Sequence, residues 1–251
     1  MLVRRVTPTL RIHDLGRTTY EVGGVEVEAS ASRRTALAIL LYLVTRSRQT
    51  APREQAMEGL WPNQSPTAAT NSLHQTLHFI RREIAPWSSS GPPVNYVRLD
   101  SELIYLDQEL VQVDSIAFMR QATDALSSRD LASVGVSIVR LYRGRFAPEF
   151  EYEDWAQDWR TLVHAQFLRL CQATAAALLK SGQLQTAIDV LSQAVELDPL
   201  AFEARRTLIY VLFKAGAADA AADHYRHYAA AMQRELGMRA PPFDEVVRDK
   251  P

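Results

Sequence analysis

Asn71, Gln75, His78 and Arg82 follow one another at spacings of four, three and four, which on an α-helix puts all four side chains along one line. Amide side chains pair bidentately with the edge of adenine and a guanidinium does so with guanine, so this line has the chemistry of a surface that reads bases in a major groove. His74 and Arg81 flank it. On the opposite side Ala69, Leu73, Leu77, Ile80 and Ile84 form an apolar stripe that would anchor a helix over Thr67 to Ile84. The same pattern also describes an ordinary amphipathic surface helix, and the segment alone leaves both readings open.

The elements that must hold this helix are legible around it. Ser32 is placed to cap a helix from Arg33 to Arg46, and Leu37, Ile39, Leu40, Leu41, Leu43 and Val44 make that helix central to a core. Pro52 suits the first turn of a short second helix, which Trp61-Pro62 stops, and Asn63 to Pro66 leads into the polar-faced helix. The order is that of a helix-turn-helix. Upstream, Leu10 to Leu15, Thr18 to Val22 and Val25 to Val27 read as a small antiparallel sheet turned at Gly23-Gly24. Downstream, after the cluster Pro86 to Pro93, the alternating runs Val94 to Leu99 and Leu103 to Leu106 read as a β-hairpin, the wing of a winged helix. Arg98 is its one basic residue and a candidate phosphate contact. Asp100 and Glu102 at the tip oppose its insertion into a minor groove.

With 251 residues, 47% of them apolar, the chain has material for two domains. The expected division is a first domain over 8–112, a second over 113–241, and a tail over 242–251. The formal net charge of −1 argues against coating nucleic acid by charge alone. Its distribution is uneven: eleven arginines against seven carboxylates leave +4 over residues 1–90, and the remainder carries −5. The basic half is the one with the candidate reading helix. The single cysteine, Cys171, allows no internal disulfide, which fits a reducing cytoplasm, and its apolar neighbours favour buried packing. No apolar run of about twenty residues occurs, the longest being Ala36 to Val44, and the first residues lack the pattern of a secretory signal; no membrane partner is expected.

From Asp114 onward the pattern is helical, with Asp114 and Asp130 placed as N-caps, long helices expected over Tyr152 to Lys180 and Leu200 to Ala215, and Pro148, Pro199 and Pro241-Pro242 as punctuation. Gly182 and Gly216, Ala187 and Ala221, and Leu191 and Tyr225 each differ by 34, the tetratricopeptide period. Small residues at Ala187, Ala194 and Ala221 let antiparallel helices approach, so a stack of helical hairpins is expected. The fold class is therefore mainly α: a winged helix-turn-helix with short strands, then an all-α helical-repeat domain.

Enzymatic chemistry finds little support. His224 and His227 with Asp219 and Asp223 have the spacing of a solvated helix face more than of a metal site, and no nucleophile motif, dinucleotide fingerprint or Gly-x-x-x-x-Gly-Lys loop occurs. No catalytic residue, metal or cofactor is expected. Glu151, Glu153, Asp154 and Asp158 surround Trp155 and Trp159, which reads either as a charged face beside core aromatics or as a docking surface for a basic partner.

Strings spread over Leu10 to Pro241 carry a wider likeness: Leu15-Gly16, Val22-Gly23-Gly24, Gly59-Leu60-Trp61-Pro62, the run Ala69 to Glu83, Val113-Asp114 with Ala117-Phe118, Glu153-Asp154-Trp155-Ala156, Leu197-Asp198-Pro199 and Glu235-Leu236-Gly237. In their order and spacing the chain resembles the SARP-type bacterial transcriptional activators, which join a winged helix to a bacterial transcriptional activator domain of tetratricopeptide-like helices. The resemblance implies that Asn71, His74, Gln75, His78 and Arg82 face the groove and that Arg33, Arg34 and Arg81 contact phosphates. It implies double-stranded promoter DNA, RNA polymerase and a second copy of the chain as partners, room for an effector, and action in the cytoplasm. Two features depart from the pattern: the wing turn lacks the usual glycine, and two histidines stand on the reading face. The alternative function is a helical-repeat adaptor that binds a protein or small effector without DNA.

Overall fold

The computed structural model describes residues 9–27, 31–84 and 94–248. Two compact units form, one from Met1–Ala117 with Arg143–Val163 and one from Phe118–Tyr142 with His164–Pro251.

In the first unit β1 (Leu10–His13), β2 (Thr19–Val22) and β3 (Val25–Val27) run antiparallel, with Leu10 opposite Val22 and Ile12 opposite Tyr20. These four side chains share one buried face, and the turn between β2 and β3 uses two left-handed residues, Gly23 and Gly24, as a type I′ hairpin turn requires. The sheet is mixed, not purely antiparallel: β7 (Val111–Val113) adds to β1 in parallel, setting Leu10 beside Val111 and Ile12 beside Val113.

The helix α1 (Ala31–Val44) begins before Ser32, so that serine stands inside the first turn and not at the cap. Its run Ile39–Val44 is buried almost entirely, and α1 packs on α2 (Arg53–Leu60) and α3 (Pro66–Phe79). The α1–α2 approach is close at Gly59, where a Cβ would stand 2.7 Å from the Tyr42 ring. Pro52 lies one residue before α2, as the last residue of the edge strand β4 (Thr50–Pro52), where a missing N–H costs no ladder bond. β4 pairs with β6 (Leu103–Leu106), and β6 with β5 (Val97–Leu99), so the expected wing hairpin is one side of a three-stranded sheet. The Pro86 to Pro93 cluster lies outside the described residues.

Residues 143–163 complete this unit. Leu15 bridges Phe146, the Gly16 amide donates to the Arg145 carbonyl (3.0 Å), and Ala147 donates to the Asp14 carbonyl (2.8 Å). Asp14 is fully buried; its carboxylate accepts from the amide (2.8 Å) and hydroxyl (2.6 Å) of Ser115, in the first turn of α4 (Asp114–Leu126). Burial pushes the Asp14 carboxyl up to about 7, against the pull of the two Ser115 bonds. A group whose folded affinity for protons exceeds its unfolded one stabilises most below its ordinary range, and that gain is lost as pH rises toward 7. Asp14→Asn keeps the shape without the charge. The urea midpoint of the natural chain is expected to fall between pH 5 and pH 8 relative to that of Asp14→Asn, and parallel curves for the two proteins would refute the assignment.

The second unit is helical: the greater part of α4, α5 (Leu131–Val139), the later turns of α6 (Asp154–Lys180), α7 (Leu184–Leu197), α8 (Phe202–Lys214), α9 (Ala218–Leu236) and α10 (Phe243–Arg248). Asp130 precedes α5, but its side chain makes no capping bond; its carbonyl takes the amides of Ser133 and Val134 instead. The 34-residue period is the repeat of a helix, a glycine turn and a helix. Gly182 and Gly216 both adopt positive φ where α6 gives way to α7 and α8 to α9, and Ala187, Ala221 and Leu191 are fully buried against neighbouring helices. His164 joins two turns: its Nδ1 accepts from the Tyr142 hydroxyl (2.8 Å), and its Nε2–H donates to Asp198 (2.7 Å), whose other oxygen takes the Leu200 amide. Tyr142 stacks on Phe167 with ring centroids 4.1 Å apart. The stretch read as a tail contains α10, which packs on α8 with Val246 and Val247 buried.

By length and composition α6 is apolar enough to cross a membrane. Val163, Phe167, Leu170, Cys171 and Leu178 on it are instead completely buried in protein, and burial pushes the Cys171 thiol well above its ordinary range.

Candidate nucleic-acid interface

Ser65 caps α3, its hydroxyl accepting from the Ala68 amide at 3.4 Å, and Pro66 follows in the first turn, where a proline is tolerated. The apolar stripe behaves as its spacing predicts: Ala69, Leu73, Leu77 and Ile80 are buried, while the side chain of Ile84 is outside those described. Burying this stripe against α1 and α2 leaves the other side of α3 in solvent. Asn71, His74, Gln75 and His78 are all exposed, and so are Arg81 and Arg82.

The helix does not keep one period to its end. Residues Ile80–Ile84 form a π-helical turn, which advances less per residue than an α-helix and so rotates Arg81 and Arg82 relative to the line through Asn71 and Gln75. Such a widened turn breaks the 3.6 period silently, because the apolar and polar residues keep their order. At the other end Thr67 and Ala68 are exposed on the first turn. Thr67 stands four residues before Asn71 and so belongs to the same surface; carrying the period one step further back would have included it.

The basic residues expected around this helix have different surroundings. Arg34 is exposed but its guanidinium sits 4.5 Å over the Phe150 ring. The side chain of Arg33 lies outside those described. Arg98 pairs with Asp107, a nearly buried carboxylate next to the hairpin, which commits the wing's cation to an internal partner. Asp100 closes the hairpin turn: its carboxylate accepts from the amides of Leu103 (2.6 Å) and Glu102 (2.9 Å), and these bonds hold it below the usual carboxylate range. An aspartate therefore does here what a glycine turn does elsewhere, and leaves a negative charge at the tip.

Residues 113–244 match the bacterial transcriptional activator domain, more than half of the chain. The chain belongs to this family. The match begins at Val113-Asp114, where β7 passes into α4, and ends two residues beyond Pro242. Among curated proteins no sequence match is found. The structure of Mycobacterium tuberculosis EmbR in complex with a low-affinity phosphopeptide superposes with a TM-score of 0.70 at 16% identity, over 97% of this chain and 66% of that one. The likeness is one of fold, a winged helix followed by helical repeats, and this chain spans about two thirds of EmbR's length. The chain thus joins the bacterial transcriptional activator domain to an N-terminal unit, and the whole takes a fold that superposes on that of EmbR. The candidate metal ligands His224, His227, Asp219 and Asp223 do not converge: among the described residues no group of three or more His, Cys, Asp or Glu is placed to hold an ion.

Proposed function

We propose that this chain is a transcriptional regulator of the SARP type that binds promoter DNA in a sequence-specific way, with α3 in the major groove, and activates transcription in the cytoplasm. The observation that carries the reading is the division of α3 into a buried apolar stripe and a wholly exposed face of Asn71, His74, Gln75 and His78, with Arg82 exposed on the turn that follows. Amide and guanidinium groups supply base discrimination, and Arg33, Arg34 and Arg81 supply phosphate contacts. Arg98 reaches DNA only by leaving Asp107, so its share is small. The helical domain recruits RNA polymerase and pairs with a second copy on repeated sites, which accounts for a second half that is acidic and carries no reading surface.

A gel-shift titration on sheared genomic DNA at two salt concentrations tests the first step. Binding is expected to weaken as salt rises, since each neutralised phosphate releases counterions. Salt-insensitive or absent binding would favour the adaptor. On a selected site, Arg82→Ala is expected to relax preference at one base position at a cost of about 1–3 kcal/mol. A uniform loss at all positions would make Arg82 a phosphate contact instead.

A further inference from the structure

The acidic run at the start of α6, which base reading leaves unused, opens onto a cleft of about 430 Å³ within the first unit. Its walls are Tyr42 from the last turn of α1, Arg46 just beyond that helix, Glu58 from α2, and Asp154, Trp155, Asp158 and Trp159 from the first turns of α6. Three carboxylates against one guanidinium leave those walls net negative. Among the described residues Glu58, Asp154 and Asp158 form no ion pair, and all three are exposed.

The aromatic groups need nothing further from a ligand except contact. The Trp155 indole N–H donates to Glu153 (3.2 Å), the Trp159 N–H to the Ser115 hydroxyl (3.1 Å), and the Tyr42 hydroxyl to the Gln55 carbonyl (3.0 Å). Tyr42 and Trp155 are buried, so the ring that offers π surface to the cleft is the half-buried Trp159. The chain's own cation covers the Tyr42 ring: the Arg46 guanidinium lies 4.4 Å over it and donates to the Trp155 carbonyl at 3.2 Å.

We propose that this cleft binds an organic cation, an ammonium or guanidinium group on an aliphatic body. Carboxylates attract its charge, and the Trp159 indole attracts a cation through the ring quadrupole while covering the alkyl carbons. An anion would meet three carboxylates. A bare divalent ion requires a convergent shell of oxygens, and the described residues hold no such group. The volume suits a small molecule of several heavy atoms or one basic side chain. Because Glu58 belongs to α2, the helix before α3, occupancy would brace the support of the reading helix.

The test is a titration of the full chain, without DNA, by calorimetry and tryptophan emission at fixed ionic strength. The probes are spermidine, choline and the peptide acetyl-glycyl-arginyl-glycine amide, with magnesium chloride as the inorganic control. Saturable binding of at least one organic probe is expected, with magnesium silent, and Asp158→Asn and Glu58→Gln each weakening it about tenfold. Both positions are exposed, so the variants keep their fold, as circular dichroism would verify. The small-molecule and peptide arms distinguish a free effector from a partner's basic side chain. No saturable signal from any organic probe, an equal response to magnesium, or undiminished affinity in both variants would overturn the site. Because no DNA is present, these outcomes stand apart from any failure of the DNA-binding reading.

Discussion

Gly16→Ala is expected to destabilise the first unit by about 3–5 kcal/mol, the sum of a left-handed backbone forced on a residue with a side chain and a clash that cannot be relieved by rotating a side chain. Gly16 has φ of +81°, and a Cβ on it would stand 2.5 Å from the Arg143 carbonyl oxygen and 2.8 Å from its carbon. Across the same crossing, Gly144 has φ of +148° and its Cβ would stand 2.8 Å from the Gly16 Cα. Two backbones touch because neither residue has a side chain. Moving them apart would break the Gly16–Arg145 hydrogen bond and the Leu15–Phe146 bridge, and with them the attachment of residues 143–163. Gly24→Ala is the control: φ is +87°, but nothing lies within 4 Å of its Cβ, so backbone strain alone applies and the cost is about 1–2 kcal/mol. Urea unfolding followed by tryptophan emission reads the unit selectively, since Trp61, Trp155 and Trp159 all belong to it. Equal midpoints for the two variants would mean that the crossing is loose.

The Gly16 crossing shows what a sequence alone conceals. Leu15-Gly16 stood out as part of a family-like string, but its partner lies over a hundred residues away and no period connects them. For the same reason β7 went unread: Val111–Val113 is three residues long, too short for alternation to register, and its partner is β1. A continuous apolar helix such as α6 gives no sign of where the first unit ends along it, so the expected boundary at 112 did not include the return of residues 143–163. What was legible was local. The Gly23-Gly24 turn, the buried stripe of α3 and the 34-residue period all depend on neighbours within a turn or a repeat, and those appear where the spacing put them. In the candidate interface the exposed face of α3 was readable by period, whereas the Arg34–Phe150 and Arg98–Asp107 contacts were not, because each involves a partner that only folding brings near or commits.

Arg160 ties the irregular segment 146–151 to the first turns of α6, and Arg160→Ala is expected to cost more than about 3 kcal/mol. It is 7% exposed. Its Nε donates to the Phe146 carbonyl (3.0 Å), one terminal nitrogen to the Glu151 carbonyl (3.1 Å) and the Gln157 amide oxygen (3.3 Å), and the other to the carbonyls of Phe150 (2.8 Å) and Ala147 (3.5 Å). Four backbone carbonyls of one irregular segment thus converge on one guanidinium. Ala147 within that segment has φ of +45°, a conformation that a side chain disfavours and that these bonds help to hold. Burial lowers the Arg160 proton affinity, but a guanidinium starts so high that it stays charged throughout the working range. Truncation to alanine would strand the carbonyls without donors and leave a cavity beside Phe146 and Phe150. Lysine keeps the charge but reaches with a single nitrogen, so Arg160→Lys is expected to recover less than half of the loss. A full recovery by lysine would show that charge, and not the forked geometry, holds the segment. The same substitution separates the two roles of α6: its first turns would loosen from the segment 146–151, while the second unit, which contains neither Arg160 nor its acceptors, would keep its own unfolding transition.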